Sequence, residues 1–220
     1  MRFEDWEPTY LEILEEFGYS RAKDEEAARV LDEICHERDV CLSSCLRRAI
    51  GKSVTVCGDG PNLEANVERH RPIGTVIAAD GATSALLQKG IVPDIIVSDL
   101  DGNIADLQRA NRMGAIMVIH AHGDNIPLLE NVPGFEGKVA LTTQSRRFGR
   151  VRDYGGFTDG DRAVELARHF GAKDILLLGF DFENPRKKTK GGAQVKLRKL
   201  RWAHQIIFDL NPSQVRLSMP

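Results

Sequence analysis

Residues 74–102 read GTVIAADGATSALLQKGIVPDIIVSDLDG. Two short runs rich in β-branched residues, GTVIAA (74–79) and DIIVS (94–98), flank a helical stretch, TSALLQKG. Each run is apolar along its whole length, and each ends in an acidic, glycine-containing turn. Strands that are apolar on both faces belong to a parallel sheet covered by helices, not to a sheet with one wet face. The stretch is therefore a strand–helix–strand unit, and the same alternation continues on both sides of it.

Upstream lies SVTVC (53–57); downstream lie AIMVIH (115–120), KVALTT (138–143) and DILLLGF (174–180). Between them run LEANVERH, IADLQRANRMG, DNIPLLENV and DGDRAVELARHFG, and a last helix is expected from Ala193 to Leu210. The pattern predicts an α/β fold: a mostly parallel, Rossmann-like sheet with helices on both faces and right-handed crossovers. Residues 1–50 read as all-helical. Tyr10, Leu11, Leu14 and Phe17 recur at helical spacing, and a longer helix is expected from Asp24 to Ala49, ended by Gly51. This gives an N-terminal helical appendage (1–50) on an α/β catalytic domain (51–220). The appendage either packs on that domain or mediates self-association.

The 220 residues carry 30 Lys plus Arg against 32 Asp plus Glu, a formal charge of −2 that argues against a nucleic-acid coat or a membrane-surface protein. Eight of the basic residues fall between Arg186 and Arg201 with no acidic residue among them, so the rest of the chain is distinctly acidic. Hydrophobic residues at 42% and charged residues at 28% suit a folded globule. No apolar run is long enough to span a bilayer, and the acidic start MRFEDWEPTYLEILEEFGYS is no secretory signal, so a cytoplasmic location is expected. Cys35, Cys41, Cys45 and Cys57 match no zinc-binding spacing and are expected as buried apolar side chains without a disulfide or redox role.

Open parallel sheets take ligands beyond the carboxyl ends of their strands. Gly58-Asp59-Gly60-Pro61-Asn62 follows the first strand, either as an anion-cradling turn or as a plain tight βα turn. Asp80 ends the second strand, while Asp99 and Asp101 end the third, two apart and on one side of an extended backbone. Crowded carboxylates favour a bound cation, and oxygen ligands without thiolates point to Mg²⁺; each aspartate alone could equally cap a helix. His120 and His122 share one face after the fourth strand, as hydrogen-bonding groups or as a metal-binding pair. Thr143 and Gln144 follow the fifth. The connection from Gln144 to Phe157 carries Arg146, Arg147, Arg150 and Arg152, and reads as a phosphate-clamping lid or as a solvated basic loop. Thr158 and Asp159 open the next helix as cap and dipole partner, and Asp159 could also complete the metal site. Lys187 to Lys190 is the part of the basic segment best suited to a polyphosphate.

Taken together, GDGPNLEANV, AADGATSALLQKGIVPDIIVSDLDG, HAHGDN, the TTQ after the fifth strand, GGFTDGDRAVELARHFGA and LLGFDF resemble the archaeal 6-hydroxymethyl-7,8-dihydropterin pyrophosphokinase (MptE-like) family over about Val54 to Leu210. The Asp80-Gly81-Ala82, Pro93-Asp94, Ser98–Gly102 and Thr158-Asp159 segments also resemble thiamin pyrophosphokinase, although Ser98 and Gly102 depart from that enzyme's turn. Asn62 stands where relatives often carry serine. The resemblance implies ATP- and Mg²⁺-dependent transfer of diphosphate to the hydroxymethyl group of a reduced pterin, releasing AMP, in tetrahydromethanopterin- or folate-type biosynthesis. It implies Mg²⁺ on Asp99 and Asp101 with Asp80 or Asp159, and phosphates on Arg146, Arg147, Lys187 and Lys190. Gly58, Gly60, Pro61, Asn62, Thr143, Gln144 and Thr158 would line the ATP site. Asp80, Asp101 and His122 would be catalytic, with Asp80 or His122 taking the hydroxyl proton. The implied partners are ATP and the pterin, not nucleic acid or membrane, and a homodimer fits the habit of thiamin pyrophosphokinases. Alternatives are a thiamin diphosphokinase, a sugar-nucleotide transferase of the flagellin-modifying type, and a non-enzymatic nucleotide-binding protein. Phe148, Tyr154, Phe157 and Phe182 are unranked candidates for stacking on the pterin.

Overall fold

Six strands stand within a residue or two of the β-branched runs: β1 (Ser53–Cys57), β2 (Thr75–Ala79), β3 (Ile95–Ser98), β4 (Ile116–Ala121), β5 (Val139–Thr143) and β6 (Asp174–Leu178). A short seventh, β7 (Arg216–Ser218), had no signal in the sequence. The computed structural model describes residues 2–185 and 192–220. All neighbouring strands pair in parallel, in the order β5-β4-β3-β2-β1-β6-β7. The chain thus winds from β1 to one edge and then returns to the other side of β1. The connections leaving β1 and β6 diverge there, which opens a crevice at the strands' carboxyl ends.

Alternate side chains of each strand bury on opposite faces, which explains the uninterrupted apolar runs. Val56, Ile77, Val97 and Val118 meet Val164, Leu166 and Ala167 of the helix Asp159–His169. Ile96, Met117, Ile119 and Leu141 meet Leu107 of the helix Ile104–Arg112 on the other face. The intervening helices are Leu63–Arg69 and Ala82–Gln88. The segment after β4 is a 3-10 stretch, Ile126–Gly134, because Pro127 and Pro133 deny it a regular α ladder.

In chain order the first three helices are α1 (Phe3–Phe17), α2 (Arg21–Ile34) and α3 (Ser43–Ala49). Gly18, at φ 67°, turns the chain between α1 and α2. Trp6, Tyr10 and Ile13 of α1 bury against Phe157 and Ile206, while Ala27 and Leu31 of α2 extend the helical layer beside β4 and β5. The single helix expected from Asp24 to Ala49 is broken after Ile34. The Cys41 N–H donates to the Val139 carbonyl at 2.7 Å, and Arg38 donates to the carbonyls of Phe135 and Gly137, which draws the chain onto β5.

That break corrects the cysteine expectation. Cys41, at the foot of α3, lies 5.4 Å (Cα–Cα) from Cys45 and forms a disulfide with it. Cys35 and Cys57 remain buried free thiols, and burial pushes the Cys57 thiol up to about 12. The last helix starts at Gly192, runs regularly to His204 and continues as a π-helical turn, Gln205–Asp209. The connection from Gln144 to Phe157 is not a free lid: isolated bridges join Thr142 to Arg152 and Phe148 to Val151, and Val151 and Tyr154 are buried. Among the described residues no helix is long and apolar enough to cross a membrane.

Candidate active site

The crevice between β1 and β6 is walled by backbone. The Gly58 N–H donates to Leu178 O at 2.8 Å, and the Gly60 N–H to Gly179 O at 2.7 Å. A Cβ on Gly60 would lie 2.4 Å from the Gly179 oxygen, and one on Gly179, at φ 72°, would lie 2.3 Å from the Gly58 oxygen. Only glycine permits two loops to meet this closely. Asn66 accepts the Gly179 N–H at 3.0 Å, and Asn62 Nδ2 donates to Phe180 O at 3.0 Å. Asn62 Oδ1 is buried without a hydrogen-bond partner among the described residues, and Pro61 is exposed at the turn.

Beside this crevice, carboxylates crowd the ends of β2 and β3. Asp80 (φ 39°) and Leu100 (φ 69°) are the non-glycine residues with left-handed backbone among the described residues, and both lie on this rim. Strain of this kind concentrates where surrounding structure fixes it. Leu100 buries its side chain, so Asp99 and Asp101 flank a left-handed turn instead of the extended segment expected from their spacing. The Asp101 N–H donates to Asp99 Oδ1 at 3.3 Å. Ser98 Oγ donates to Asp80 Oδ1 at 2.5 Å and accepts the Leu100 N–H at 2.8 Å, tying the two strand ends together. A Cβ on Gly102 would lie 2.3 Å from Asp80 Oδ2, and one on Gly81 2.6 Å from Asp59 Oδ2. These two glycines leave room beside the carboxylates.

Burial pushes the Asp80 carboxyl up to about 7; the Ser98 hydroxyl opposes this, and the charges of Asp101, Asp99 and Asp59 add to it. Burial likewise holds Asp159 well above the carboxylate range, with Asp99 adding and the Arg162 guanidinium opposing. Burial also works against the charge on Asp99, but the His122 hydrogen bond and the nearby Arg162 outweigh it and hold this carboxyl below its ordinary value. His122 Nε2 lies 3.1 Å from Asp99 Oδ2, and His122 Nδ1 accepts the Asp124 N–H at 3.3 Å, so both ring nitrogens are engaged. Asn125 clamps the two loops by donating to the carbonyls of Asp99 and His120, each at 2.7 Å.

A buried network reaches this rim from the N-terminal helices. Asp24 Oδ2 accepts from Tyr10 Oη at 2.7 Å and from Gln144 Nε2 at 2.9 Å, and Asp24 Oδ1 accepts the Gly123 N–H at 2.8 Å. Gln144 Oε1 accepts from Arg162 Nη2, and Asp159 Oδ1 from Arg162 Nη1, both at 3.1 Å. Trp6 Nε1 donates to the Gln144 carbonyl at 2.9 Å. His120 is fully buried, with Nδ1 3.2 Å from Thr142 Oγ1. Thr142 Oγ1 gives its own proton to Ile119 O, so the His120 contact is donated by Nδ1. The two histidines are thus placed by separate hydrogen bonds.

Residues 28–187 match the family described as 6-hydroxymethylpterin diphosphokinase, MptE-like. The chain is 44% identical to a Pyrococcus furiosus protein named 6-hydroxymethyl-7,8-dihydropterin pyrophosphokinase, over 94% of this chain and 93% of that one. The chain belongs to the MptE-like family. A Methanothermobacter thermautotrophicus protein of the same name is 44% identical over 83% of this chain and 79% of its own. One from Methanocaldococcus jannaschii is 36% identical over 94% and 95%. Among solved structures, a glycosyltransferase of the Maf type from Magnetospirillum magneticum shares the fold at TM-score 0.50 and 16% identity, covering 78% of this chain and 34% of that one. Thiamine pyrophosphokinase from Bacillus subtilis aligns at TM-score 0.44 and 16% identity over 77% of this chain and 60% of that one.

In this MptE-like chain, Asp80, Asp99, Asp101 and Asp159 converge electrostatically on one rim, and His122 touches it through Asp99. Thr143 is buried at the end of β5, and Gln144 enters the rim through Arg162. Thr158 turns instead to Asp161, donating from its N–H at 2.9 Å and from Oγ1 at 2.7 Å as part of a capping box. Arg146 reaches Glu7 at 3.3 Å and stands over the Phe3 ring, so it braces α1; Arg147 is exposed on the same turn. Lys187 and Lys190 lie outside the described residues. Sequence reasoning missed Asp24, Asn66 and Arg162. The first and last read as ordinary helix-face charges, because each is tied to Gln144, which the sequence places far from Asp24 and outside the helix of Arg162.

The rim suits a hard cation. Among the described residues, no three His, Cys, Asp or Glu side chains form a ready-made coordination group. Asp99 and Asp101 beside Asp80, in a space that a Cβ on Gly102 would fill, are what Mg²⁺ commonly uses when its other ligands are water and substrate oxygens.

Proposed function

We propose that this chain transfers the diphosphate of ATP to the hydroxymethyl oxygen of 6-hydroxymethyl-7,8-dihydropterin and releases AMP, with Mg²⁺ held by Asp99 and Asp101. The observation that carries the reading is an acidic, strained rim directly beside a glycine-walled crevice at the sheet's switch point, in a member of this family. The substrate hydroxyl forms a bond to the β-phosphorus while the bond from that phosphorus to the bridging α,β-oxygen breaks. The bridging oxygen leaves on AMP, and the hydroxyl proton passes to Asp80. When bound, Mg²⁺ neutralises charge developing on the phosphate oxygens.

The protein's own groups do the remaining work. Asp80, raised to about 7, is suited to accept a proton near neutral pH, and Ser98 fixes the orientation of its carboxyl. With both ring nitrogens engaged, His122 serves to hold Asp99, so of the two proposed proton acceptors Asp80 is the better placed. Arg162 holds Asp159 and counters the rim's negative charge. The glycines of the β1–β6 crevice let the nucleotide approach main chain closely.

The test is product analysis with purified protein. AMP should form from ATP only when the hydroxymethyl-dihydropterin and Mg²⁺ are both present. ADP as the nucleotide product, or equal turnover with thiamin, overturns the reading.

A further inference from the structure

A cavity of about 70 Å³ lies between the α1–α2 turn and the loop after β4. Tyr19 and Ser20 form one wall, His122 and Asp124 the other, and Gln144 and Asp24 close the floor. That volume holds on the order of five waters, the space a flat bicyclic ring displaces. We propose that this cavity binds the reduced pterin, with the α1–α2 turn as the acceptor-selecting wall; the assignment rests on the diphosphokinase reading above.

Three observations carry it. The first is order along the sheet edge. The glycine crevice lies between β1 and β6, the carboxylates end β2 and β3, and the cavity borders the ends of β4 and β5. Phosphoryl transfer puts attacking and leaving oxygens roughly in line across the phosphorus. With AMP departing toward the crevice, the incoming hydroxyl must arrive from the β4 side, where this cavity opens. The second is connection. His122 lines the cavity and touches Asp99 at 3.1 Å, so a ring seated there has its substituent directed at the rim.

The third is chemistry and rigidity. Tyr19 offers an aromatic wall for a flat heterocycle, while Asp124 supplies an acceptor for its polar edge. The wall is fixed, because Asp24 binds Tyr10, Gln144 and the Gly123 N–H at once. Gly123 allows α2 to press against the loop: a Cβ there would meet the Lys23 Cβ at 2.6 Å.

The experiment is calorimetric titration of the full chain with 6-hydroxymethylpterin and, separately, with a non-hydrolysable ATP analogue plus Mg²⁺. Ser20 is exposed and its side chain caps nothing, so Ser20→Trp fills the cavity without disturbing the fold. We expect it to weaken pterin binding at least tenfold and to leave the ATP analogue within twofold, with an unchanged melting temperature. Tyr19→Ala should weaken the pterin similarly, and Tyr19→Phe should restore it. Wild-type pterin affinity in both Ser20→Trp and Tyr19→Ala overturns the site while leaving the activity standing. A wild-type chain that binds the ATP analogue but no pterin overturns the activity and the site together.

Discussion

Single carboxyl groups in this chain carry chemical assignments that can be separated by substitution. Asp101→Asn removes a charge from the rim without altering the left-handed turn at Leu100, so turnover should fall at least ~100-fold while the melting temperature holds. Full activity in that variant, measured as AMP release, would remove Asp101 from the site. Asp153 gives a contrasting case, away from the proposed metal ligands. Burial pushes its carboxyl up to about 7, against the opposing Gly155 N–H bond. The folded chain therefore binds the proton more tightly than the unfolded one, and this contribution to stability is complete below about pH 4 and lost as pH rises toward 7. Asp153→Asn copies the protonated form. It should raise the melting temperature by ~3–6 °C at pH 8 and by almost nothing at pH 4, as scanning calorimetry can check. A rise of equal size at both pH values would mean that ionisation of Asp153 is not the cause.

At the scale of elements, legibility followed the source of each boundary. The strands were readable because β-branched runs buried on both faces allow no other arrangement, and β1 begins and ends where SVTVC does. The end of α2 was not readable, because a tertiary hydrogen bond from Cys41 to Val139 terminates the helical run, and no glycine or proline marks the spot. The three-residue β7 is too short and too exposed to carry a pattern. The rim aspartates were visible from their places after strands, but their surroundings were not. Buried charges such as Arg162, or the Glu165–Arg168 pair that also holds the carbonyls of Ile206 and Ile207, look like a solvated helix face until their partners are known. Two element-level outcomes follow. Gly179→Ala adds a Cβ at a left-handed position facing the Gly58 oxygen, and should cost ~2 kcal/mol or more and weaken binding of an ATP analogue. Asp24→Ala strips two buried donors and one half-buried donor of their acceptor and should lower the melting temperature by ~6–12 °C. A loss within experimental error would show that the network is not a structural anchor.

For the whole molecule, the proposed site would distribute its tasks along the carboxyl ends of the strands: nucleotide at the switch point, carboxylates next, and acceptor beyond them. The N-terminal helices take part through Trp6, Tyr10 and Asp24, so their removal strips a wall from the proposed pterin cavity and exposes Phe157 and Ile206. A chain lacking residues 1–20 should lose pterin binding and gain affinity for a hydrophobic dye such as ANS. Unchanged pterin binding in the shortened chain would place the acceptor elsewhere.

The partners of α1 also set an order of events during synthesis. Trp6 and Tyr10 pack against Phe157 and Ile206, and Trp6 bonds to Gln144, so α1 lacks most of its packing surface until the chain has been made past Ile206. Contacts of such long sequence separation close late. In pulse-labelled hydrogen exchange during refolding, the amides of α1 should gain protection after those of β1 to β4, so the opening residues of the chain should be among its last to become native.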